Sequence, residues 1–233
     1  MLEAKTVVRE AKKYHSHEKT AILERFFKTG PGQYGAGDVF WGLSVPQSRI
    51  IAKKYQNLSL VEVKKLLASP VHEIRLIALL ILVEQFQAGD IMVQKTIINF
   101  YLKNTKHINN WDLVDLSASK ILGTWLLDKD SKILYKLVNS KNLWERRIAI
   151  VATYAFIKVN NFKHTLKLAE KLLADKHDLM HKASGWMLRE MGKRSKPDLV
   201  NFLKKYYRKM PRTMLRYAIE KFSESDRQFY LKK

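Results

Sequence analysis

Apolar residues recur every three to four positions along most of the chain, which is the spacing of amphipathic α-helices. No stretch alternates apolar and polar residues between turn residues as a half-buried strand does, so the pattern indicates an all-α protein. Ser, Asp, Asn or Pro stands at the start of many of the predicted helices, where these residues are favoured. The predicted helices are Glu3–Lys13, His17–Phe27, Pro46–Gln56, Leu60–Ala68, Val71–Phe86, Ile91–Leu102, Asn110–Leu127, Lys132–Val138, Trp144–Lys158, Phe162–Ala174, Leu179–Met191, Pro197–Lys209, Arg212–Phe222 and a short one near Asp226–Tyr230.

The helices carry an internal repeat. Five anchor positions follow one another at intervals of 37, 34, 36 and 33 residues, about the length of two helices and two turns. This period predicts an α-solenoid of HEAT-like helix pairs, built as a single curved domain over residues 1–233. Residues 1–45 are expected to form N-terminal helices and a glycine-rich connector, and residues 46–233 the repeats. The anchors are Arg75, Asp112, Arg146, Lys182 and Leu215.

A position three residues after each anchor should allow neighbouring helices to approach closely. Four of the repeats place a small residue there, whereas the repeat anchored at Asp112 places Asp115. A carboxylate at a close-packing position is costly unless it faces a groove or has a partner. Asp115 is therefore the first candidate for a functional residue. The small residues are Ala78, Ala149, Gly185 and Ala218.

The charge of the chain points to a nucleic-acid partner. Lys and Arg number 43 against 22 Asp and Glu, for a net charge of +21, and the cations are spread along the whole sequence. Each phosphate that such a surface neutralises releases condensed counterions, so nucleic acid is its commonest partner. The distribution favours a folded basic concave face over a disordered basic arm. The alternative is a surface that is basic but does not bind nucleic acid.

Several classes of protein are excluded or disfavoured. The chain has no cysteine, so it has neither a disulfide framework, nor a Cys-ligated zinc site, nor a thiol nucleophile. Its first residues lack the apolar core of a signal peptide, and the longest apolar run, Ile77–Val83, is far too short to span a bilayer. We therefore expect a cytoplasmic protein without membrane contact.

The segment that contains Asp115 opens with a tryptophan. Trp111 and Asp115 are four residues apart and share one helical face, whereas Asp112 could instead stabilise the helix N-terminus. A core tryptophan beside two first-turn acids is an equally good interpretation of the spacing. Further along, the adjacent Arg146 and Arg147 cannot point the same way on a helix, so one should serve the scaffold and the other the concave surface.

Other motifs indicate less. Gly30-x-Gly32-x-x-Gly35 has the spelling of a dinucleotide-binding loop, but no strand precedes it, and a connector between helices is the better interpretation. The pairs His15/His17 and His177/His181 lack a completing carboxylate–His motif, and two acids at 112 and 115 make a poor Mg²⁺ site. Neither a metal nor a cofactor is expected.

Three segments, in this order, resemble the AlkD family of HEAT-like-repeat DNA glycosylases, which excise alkylated purines. A fourth region, Phe26–Gly35 with Gly37–Phe40, Val45-Pro46 and Arg49, is similar to the N-terminal region of relatives in that superfamily. The resemblance covers nearly the whole chain. The three segments are Asn110-Trp111-Asp112-Leu113-Val114-Asp115, Trp144-Glu145-Arg146-Arg147-Ile148-Ala149-Ile150 and Lys182-Ala183-Ser184-Gly185-Trp186-Met187-Leu188-Arg189-Glu190.

The resemblance assigns roles to individual residues. It implies that Asp115 is the catalytic carboxylate, that Trp111 and Trp186 face the sugar, and that one of the Arg146–Arg147 pair lies on the concave face. The position in the motif favours Arg147, which could contact a phosphate or keep Asp115 ionised. It also implies that the lesion is contacted along an open groove with no deep base pocket. We further expect a monomer that binds double-stranded DNA containing alkylated purines, associated with the nucleoid when bound. The expected DNA contacts are Arg146, Lys182, Arg189 and Arg216.

These residue types suit one reaction. A purine alkylated at N3 or N7 carries a positive charge that is lost when the base departs, so no general acid is needed. One carboxylate and two indole faces can then stabilise the oxocarbenium-like sugar. The competing hypotheses are a non-catalytic HEAT-like module that binds damaged or branched DNA, and a protein-binding solenoid.

Overall fold

The computed structural model describes residues 2–232, and this part of the chain is helical, with one isolated parallel β-bridge between Val39 and Val71 and no strand. The all-α class is therefore confirmed. Residue contacts divide the chain into two compact units that meet in sequence between Ser117 and Ala118. The single domain over residues 1–233 and its basic concave face stay predictions.

The first unit contains seven α-helices and one short 3₁₀ turn at Thr105–His107 that the pattern did not predict. Most observed boundaries lie within two residues of the predicted ones. The helices are α1 (Ala4–Lys12), α2 (His17–Phe26), α3 (Val45–Lys54), α4 (Leu60–Leu67), α5 (His72–Ala88), α6 (Ile91–Lys103) and α7 (Trp111–Ser117).

The core of the first unit is α5. This helix is buried on every side from His72 to Val83 and packs against α3, α4, α6 and α7. Its apolar run is therefore that of a central helix in a helical stack. No helix within residues 2–232 combines the length and the apolar character that crossing a membrane requires.

The second unit opens with a π-helical turn at Ser119–Gly123 and a 3₁₀ turn at Leu126–Asp128, and another 3₁₀ turn, Leu172–Ala174, follows α11. The long α12 is its centre, with α9, α11, α13 and α14 packed around it. The helices are α8 (Lys132–Leu137), α9 (Leu143–Ala152), α10 (Tyr154–Lys158), α11 (Lys163–Lys171), α12 (Asp178–Gly192), α13 (Lys196–Tyr206), α14 (Arg212–Ala218) and α15 (Glu224–Leu231).

Two predicted helices change form along their length. Over Asn110–Leu127 the backbone stays helical, but α7 ends at Ser117 and a π-helical turn follows, in which the Gly123 amide binds the carbonyl five residues back, that of Ala118. A Cβ on Gly123 would lie 2.2 Å from the Ala152 carbonyl oxygen, so this turn lets two backbones approach closely. The prediction over Trp144–Lys158 is wrong at Thr153, whose hydroxyl and amide both bind the Ile150 carbonyl.

Gly185 shows what a small repeat position does. A Cβ there would lie 2.5 Å from the Met214 carbonyl oxygen and 2.5 Å from the Tyr217 Cβ, so α12 and α14 are close enough to exclude any side chain. Ala78, Ala149 and Ala218, at the equivalent positions, are also buried. This agrees with the packing role that the repeat predicts.

The two arginines among the anchors make equivalent contacts, each within its own unit. Arg75 donates to the Ser69 and Pro70 carbonyls and pairs with Asp38 at 2.7 Å. Arg146 donates to the Ser140 and Lys141 carbonyls and pairs with Asp175 at 2.7 Å. In both units the anchor therefore ties the turn before its helix to an aspartate elsewhere in the chain.

Candidate active site

The start of α7 carries two of the predicted site residues. The Asn110 side-chain oxygen accepts from the Trp111 amide at 2.8 Å, and the Asn110 carbonyl accepts from Val114, so asparagine ends the preceding turn and opens the helix. Trp111 and Asp115 follow on the same face and are both half-buried. The structure therefore brings this pair together, as their spacing predicts.

Aromatic rings hold Trp111 from two sides. Its indole stacks on Phe27 with centroids 5.0 Å apart and an interplanar angle of 16°, and Phe27 in turn stacks on Phe40 at 4.9 Å. Phe26 meets the indole edge-on at 5.7 Å, and the Trp111 Nε1–H donates to the Tyr34 hydroxyl at 3.3 Å. Because Phe27 covers one face of the indole, a ligand could stack on at most the other face.

A buried ionic network, which we call the His72 clamp, fixes the base of this helix. His72 lies between two carboxylates: its Nε2 is 2.8 Å from Asp112 Oδ2 and its Nδ1 is 3.1 Å from Asp38 Oδ2. Asp38 also accepts from Arg75 at 2.7 Å and from the Asn110 side chain at 3.2 Å. The clamp thus ties α7 to α5 and to the segment before α3.

The backbone brings Asp38 to this position. The Val39 amide donates to the Pro70 carbonyl at 3.2 Å and the His72 amide donates to the Val39 carbonyl at 2.8 Å, which forms the isolated bridge. These two bonds place Asp38 beside the first turn of α5, where His72 and Arg75 stand three residues apart.

The clamp holds His72 in its charged form. Burial by itself opposes protonation, but the Asp112 and Asp38 carboxylates outweigh it and raise the pKa of His72 from 6.5 to about 9. Burial likewise opposes ionisation of Asp38, yet His72 and Arg75 hold the pKa of its carboxyl below the ordinary value. At neutral pH the histidine is therefore an imidazolium that donates from both nitrogens.

Glu73 anchors the segment that follows Asp38. Its buried carboxylate accepts from three successive backbone amides, those of Trp41 at 3.0 Å, Gly42 at 2.8 Å and Leu43 at 3.2 Å. Gly42 has a φ of 85°, and a Cβ there would lie 2.6 Å from the Ser16 carbonyl oxygen, so only glycine fits. This fixes the loop that carries Phe40 against His72, with the two rings stacked at 4.6 Å.

A cavity of about 340 Å³ lies in the first unit and is lined by several of these groups. Its walls are mostly apolar, and both Trp111 and Asp115 line it. The resemblance to the AlkD family implied an open groove without a deep base pocket, so a cavity at this place is a difference from that expectation. Its lining residues are Leu23, Phe26, Phe27, Phe40, Leu43, Ser44, Val45, His72, Glu73, Leu76, Trp111, Asp112, Asp115 and Leu116.

The other predicted site residues belong to the second unit. Trp186 is half-buried on α12 with its ring 6.1 Å from that of Tyr154. Arg147 is only 5% exposed, and its Nη1 donates to the Leu179 carbonyl at 2.6 Å. Arg146 is engaged in the scaffold described above, so a DNA contact by this residue stays a prediction that its protein partners do not favour.

The remaining residues predicted to contact DNA differ in whether they already pair with acidic side chains of the protein. Lys182 pairs with Asp178 at 2.7 Å, one turn away. Arg189 pairs with Glu190 at 3.1 Å and also with Glu220. Arg216 is exposed on α14. Surface pairs of this kind contribute little to stability and can exchange for phosphate, so all three stay predictions.

The sequence reasoning missed the clamp. Asp38, His72 and Glu73 were not candidates, and Asp112 was expected to act on the helix N-terminus. A signal was present: His72, Glu73 and Arg75 are ionisable residues at the start of the most apolar helix of the chain. Buried charges need partners, and that requirement could have predicted carboxylates nearby. Their identity depends on the fold.

Comparisons with known proteins agree with the fold. The family model for DNA alkylation repair enzymes matches residues 7–222. The structure is similar to that of a predicted DNA alkylation repair enzyme from Enterococcus faecalis, with a TM-score of 0.72 and 17% sequence identity, over 90% of this chain and 97% of that chain. At this identity the likeness shows the fold. Among curated proteins, none matches the sequence significantly.

Proposed function

The chain belongs to the family of DNA alkylation repair enzymes, and we propose that it hydrolyses the N-glycosidic bond of cationic N3- and N7-alkylated purines in duplex DNA. The observation that carries this proposal is the pairing of Asp115 with Trp111 on α7, at the wall of an aromatic cavity. A carboxylate is of little use to a protein that only grips phosphates, but it serves a reaction that generates a cation.

The chemistry needs one anion in a fixed position. When the bond between C1′ and the purine nitrogen breaks, the electron pair goes to the base and neutralises its charge. The sugar becomes an oxocarbenium-like cation, which the Asp115 carboxylate stabilises while orienting a water molecule. The oxygen of that water bonds to C1′, and its proton passes to Asp115 or to solvent. A neutral base would instead leave as an anion, and the ionised Asp115 carboxylate has no proton to neutralise it.

The His72 clamp supports this role as a positioning device. It holds Asp112, three residues before Asp115, by a charged hydrogen bond inside the unit. The rotation of α7, and with it the direction of Asp115, is thus fixed before DNA binds.

The roles of five residues rest on the resemblance and on the charge alone. In this proposal Trp186 supplies a second indole face for the sugar, and Arg147 holds a phosphate. Lys182, Arg189 and Arg216 contact the DNA backbone. In the same proposal, the protein is a monomer whose partner is alkylated duplex DNA. It associates with the nucleoid when it is bound to DNA.

The test is release of N7-methylguanine from duplex DNA by wild type, by Asp115→Asn and by the control Asp90→Asn. Asp90 is exposed and caps α6, and asparagine caps equally well. We expect release by wild type and control, and a loss of at least about 100-fold for Asp115→Asn.

Equal rates for wild type and Asp115→Asn would refute the catalytic assignment. If no protein releases the base but all bind the duplex tightly, the chain is instead a non-catalytic module for damaged or branched DNA. Weak binding that does not depend on Lys182 would favour a protein scaffold.

A further inference from the structure

We propose that a groove in the second unit binds single-stranded DNA, with one unpaired base stacked on Phe229. This groove, which we call the C-terminal groove, has a volume of about 690 Å³ and lies between the end of α13, the start of α14 and the end of α15. The inference goes beyond the proposed function, which concerns a lesion in duplex DNA, and does not depend on it. Three cationic and three aromatic side chains line the groove: Arg208, Arg212, Lys232, Tyr207, Phe229 and Tyr230.

The charge of the C-terminal groove favours an anion. Its lining contains three cations and no carboxylate. Arg208 donates to the Tyr207 hydroxyl at 2.9 Å and Arg212 donates to the Leu231 carbonyl at 2.9 Å, so the partners of both arginines are neutral. The two acidic residues of α15 pair with cations outside the groove. Guanidinium groups with neutral partners can accept a phosphate, which offers them a charged hydrogen bond without breaking an ion pair.

The aromatic rings of the groove provide a flat and accessible surface. Tyr207 and Phe229 are close to parallel, with centroids 6.4 Å apart and an interplanar angle of 26°. Tyr230 meets both rings edge-on, at 5.5 Å and 5.2 Å. Tyr230 is buried, so it holds the other two rings in place, whereas Phe229 is 62% exposed. The Phe229 ring is therefore available for stacking with another flat ring.

The combination of ring and cations fits an unpaired nucleotide better than other anions. A free phosphate would engage the cations and leave the Phe229 ring unused. In a duplex the bases stack on one another, so the ring would again have no partner. An unpaired nucleotide uses both features, because its base stacks on an aromatic side chain while its phosphates meet the cations, as in proteins that bind single strands. We infer DNA as the strand because the chain belongs to a family of DNA repair enzymes.

The first experiment compares two fluorescein-labelled strands by fluorescence anisotropy. One strand has about eight thymidine nucleotides, and the other has the same number of phosphates on an abasic backbone, so the two differ only in the bases. Phe229→Leu removes the flat ring and keeps an apolar side chain, and Phe229→Trp keeps a flat ring. The control Val159→Ala shortens another exposed apolar side chain of the second unit, one that is 58% exposed. Thermal melting checks that each variant is folded.

Wild type is expected to bind the thymidine strand about 10-fold more tightly than the abasic strand, which is within the range for stacking of one base. Phe229→Leu should lose most of this preference, whereas Phe229→Trp and Val159→Ala should keep it. Equal affinity of wild type for the two strands overturns the inference, and so does a full preference in Phe229→Leu.

A second experiment tests the cations through the salt dependence of binding to the thymidine strand. Arg208→Gln should reduce the slope of log affinity against log salt by about 0.7, the value for one phosphate contact on a single strand. The matched control is Arg194→Gln, which removes an exposed arginine of the same unit that also has a neutral partner, the Asn160 side-chain oxygen at 3.1 Å. This control should keep the wild-type slope. An unchanged slope in Arg208→Gln, or an equal reduction in both variants, contradicts the inference.

A third experiment locates the bound base directly. A thymidine strand with one 5-iodouracil is irradiated in complex with the wild-type protein, and the crosslinked peptide is identified by mass spectrometry. The expected crosslink is to Phe229 or Tyr207, and crosslinks confined to other parts of the chain overturn the inference. None of the three experiments involves base release, so failure of this inference and failure of the proposed function are separate results.

Discussion

Protonation of His72 should make the stability of the protein depend on pH in a window where few other groups titrate. Its folded pKa of about 9 lies above the ordinary value of 6.5 because two carboxylates face it. A raised pKa means that the stabilisation is fully present below pH 6.5 and is lost as the pH rises through 9. Each pH unit in between removes about 1.4 kcal/mol, so the loss is about 3 kcal/mol.

The other groups with shifted pKa values titrate outside the range from pH 6.5 to 9. Burial lowers the pKa of His107, His164 and His177, so these titrate below 6.5. The lysines and tyrosines with raised values titrate above 10. A fall in stability between pH 6.5 and 9 therefore reports mainly on the clamp.

The assay is urea unfolding followed by circular dichroism at several pH values. Wild type and the control His107→Gln should lose about 3 kcal/mol of unfolding free energy from pH 6.5 to 9. His72→Gln should be destabilised at pH 6.5 by about 3–5 kcal/mol, because it leaves the buried Asp112 carboxylate without its cation and leaves Asp38 with Arg75 as its only cation, and its stability should change little with pH in the window. A flat profile for wild type, or an unaltered pH dependence in His72→Gln, would refute the reasoning. An imidazole NMR titration of His72 gives the same pKa directly.

Two further predictions follow from the charge and from one glycine. Binding to duplex DNA should weaken about 1,000-fold between 50 and 200 mM salt if about six phosphates are neutralised, as measured by fluorescence anisotropy, and a salt-independent affinity would contradict the basic face. Gly42→Ala should destabilise the protein by at least about 2 kcal/mol in urea unfolding, because its φ is 85° and a Cβ would lie 2.6 Å from a carbonyl oxygen. The matched Gly32→Ala, also at positive φ but with nothing within 4 Å of the new Cβ, should cost only about 1 kcal/mol, and equal losses for both would show that contact with Ser16 is unimportant.

The helices and the repeat could be predicted because they depend on local spacing. Apolar residues every three to four positions and proline or serine caps place α3, α4 and α13 to within a few residues. The change of helix type after Ser117 and the turn at Thr153 could not be predicted in this way, because they coincide with hydroxyl-to-carbonyl hydrogen bonds and with the close approach of Gly123 to Ala152. The helix propensities of single residues account for neither kind of contact.

The candidate site was only half predictable. Trp111 and Asp115 share a face by helical geometry alone, and the repeat singled out Asp115 as the misplaced acid. The clamp joins Asp38, His72 and Asp112, which are 34 and 40 residues apart in sequence. Only the packing of α7 and the Val39–Val71 bridge against α5 brings these three residues together. Their contact therefore could not be predicted from their spacing in the sequence.

The most direct test of the central claim is the single-turnover rate of base release from two duplexes that differ only in the lesion. One contains N7-methylguanine, which is cationic, and the other hypoxanthine, which is neutral. If the Asp115 carboxylate drives departure of a cationic base, wild type releases N7-methylguanine and leaves hypoxanthine in place, and Asp115→Asn loses at least about 100-fold of the first rate. Release of hypoxanthine at a comparable rate, or an N7-methylguanine rate that does not change in Asp115→Asn, would contradict the account.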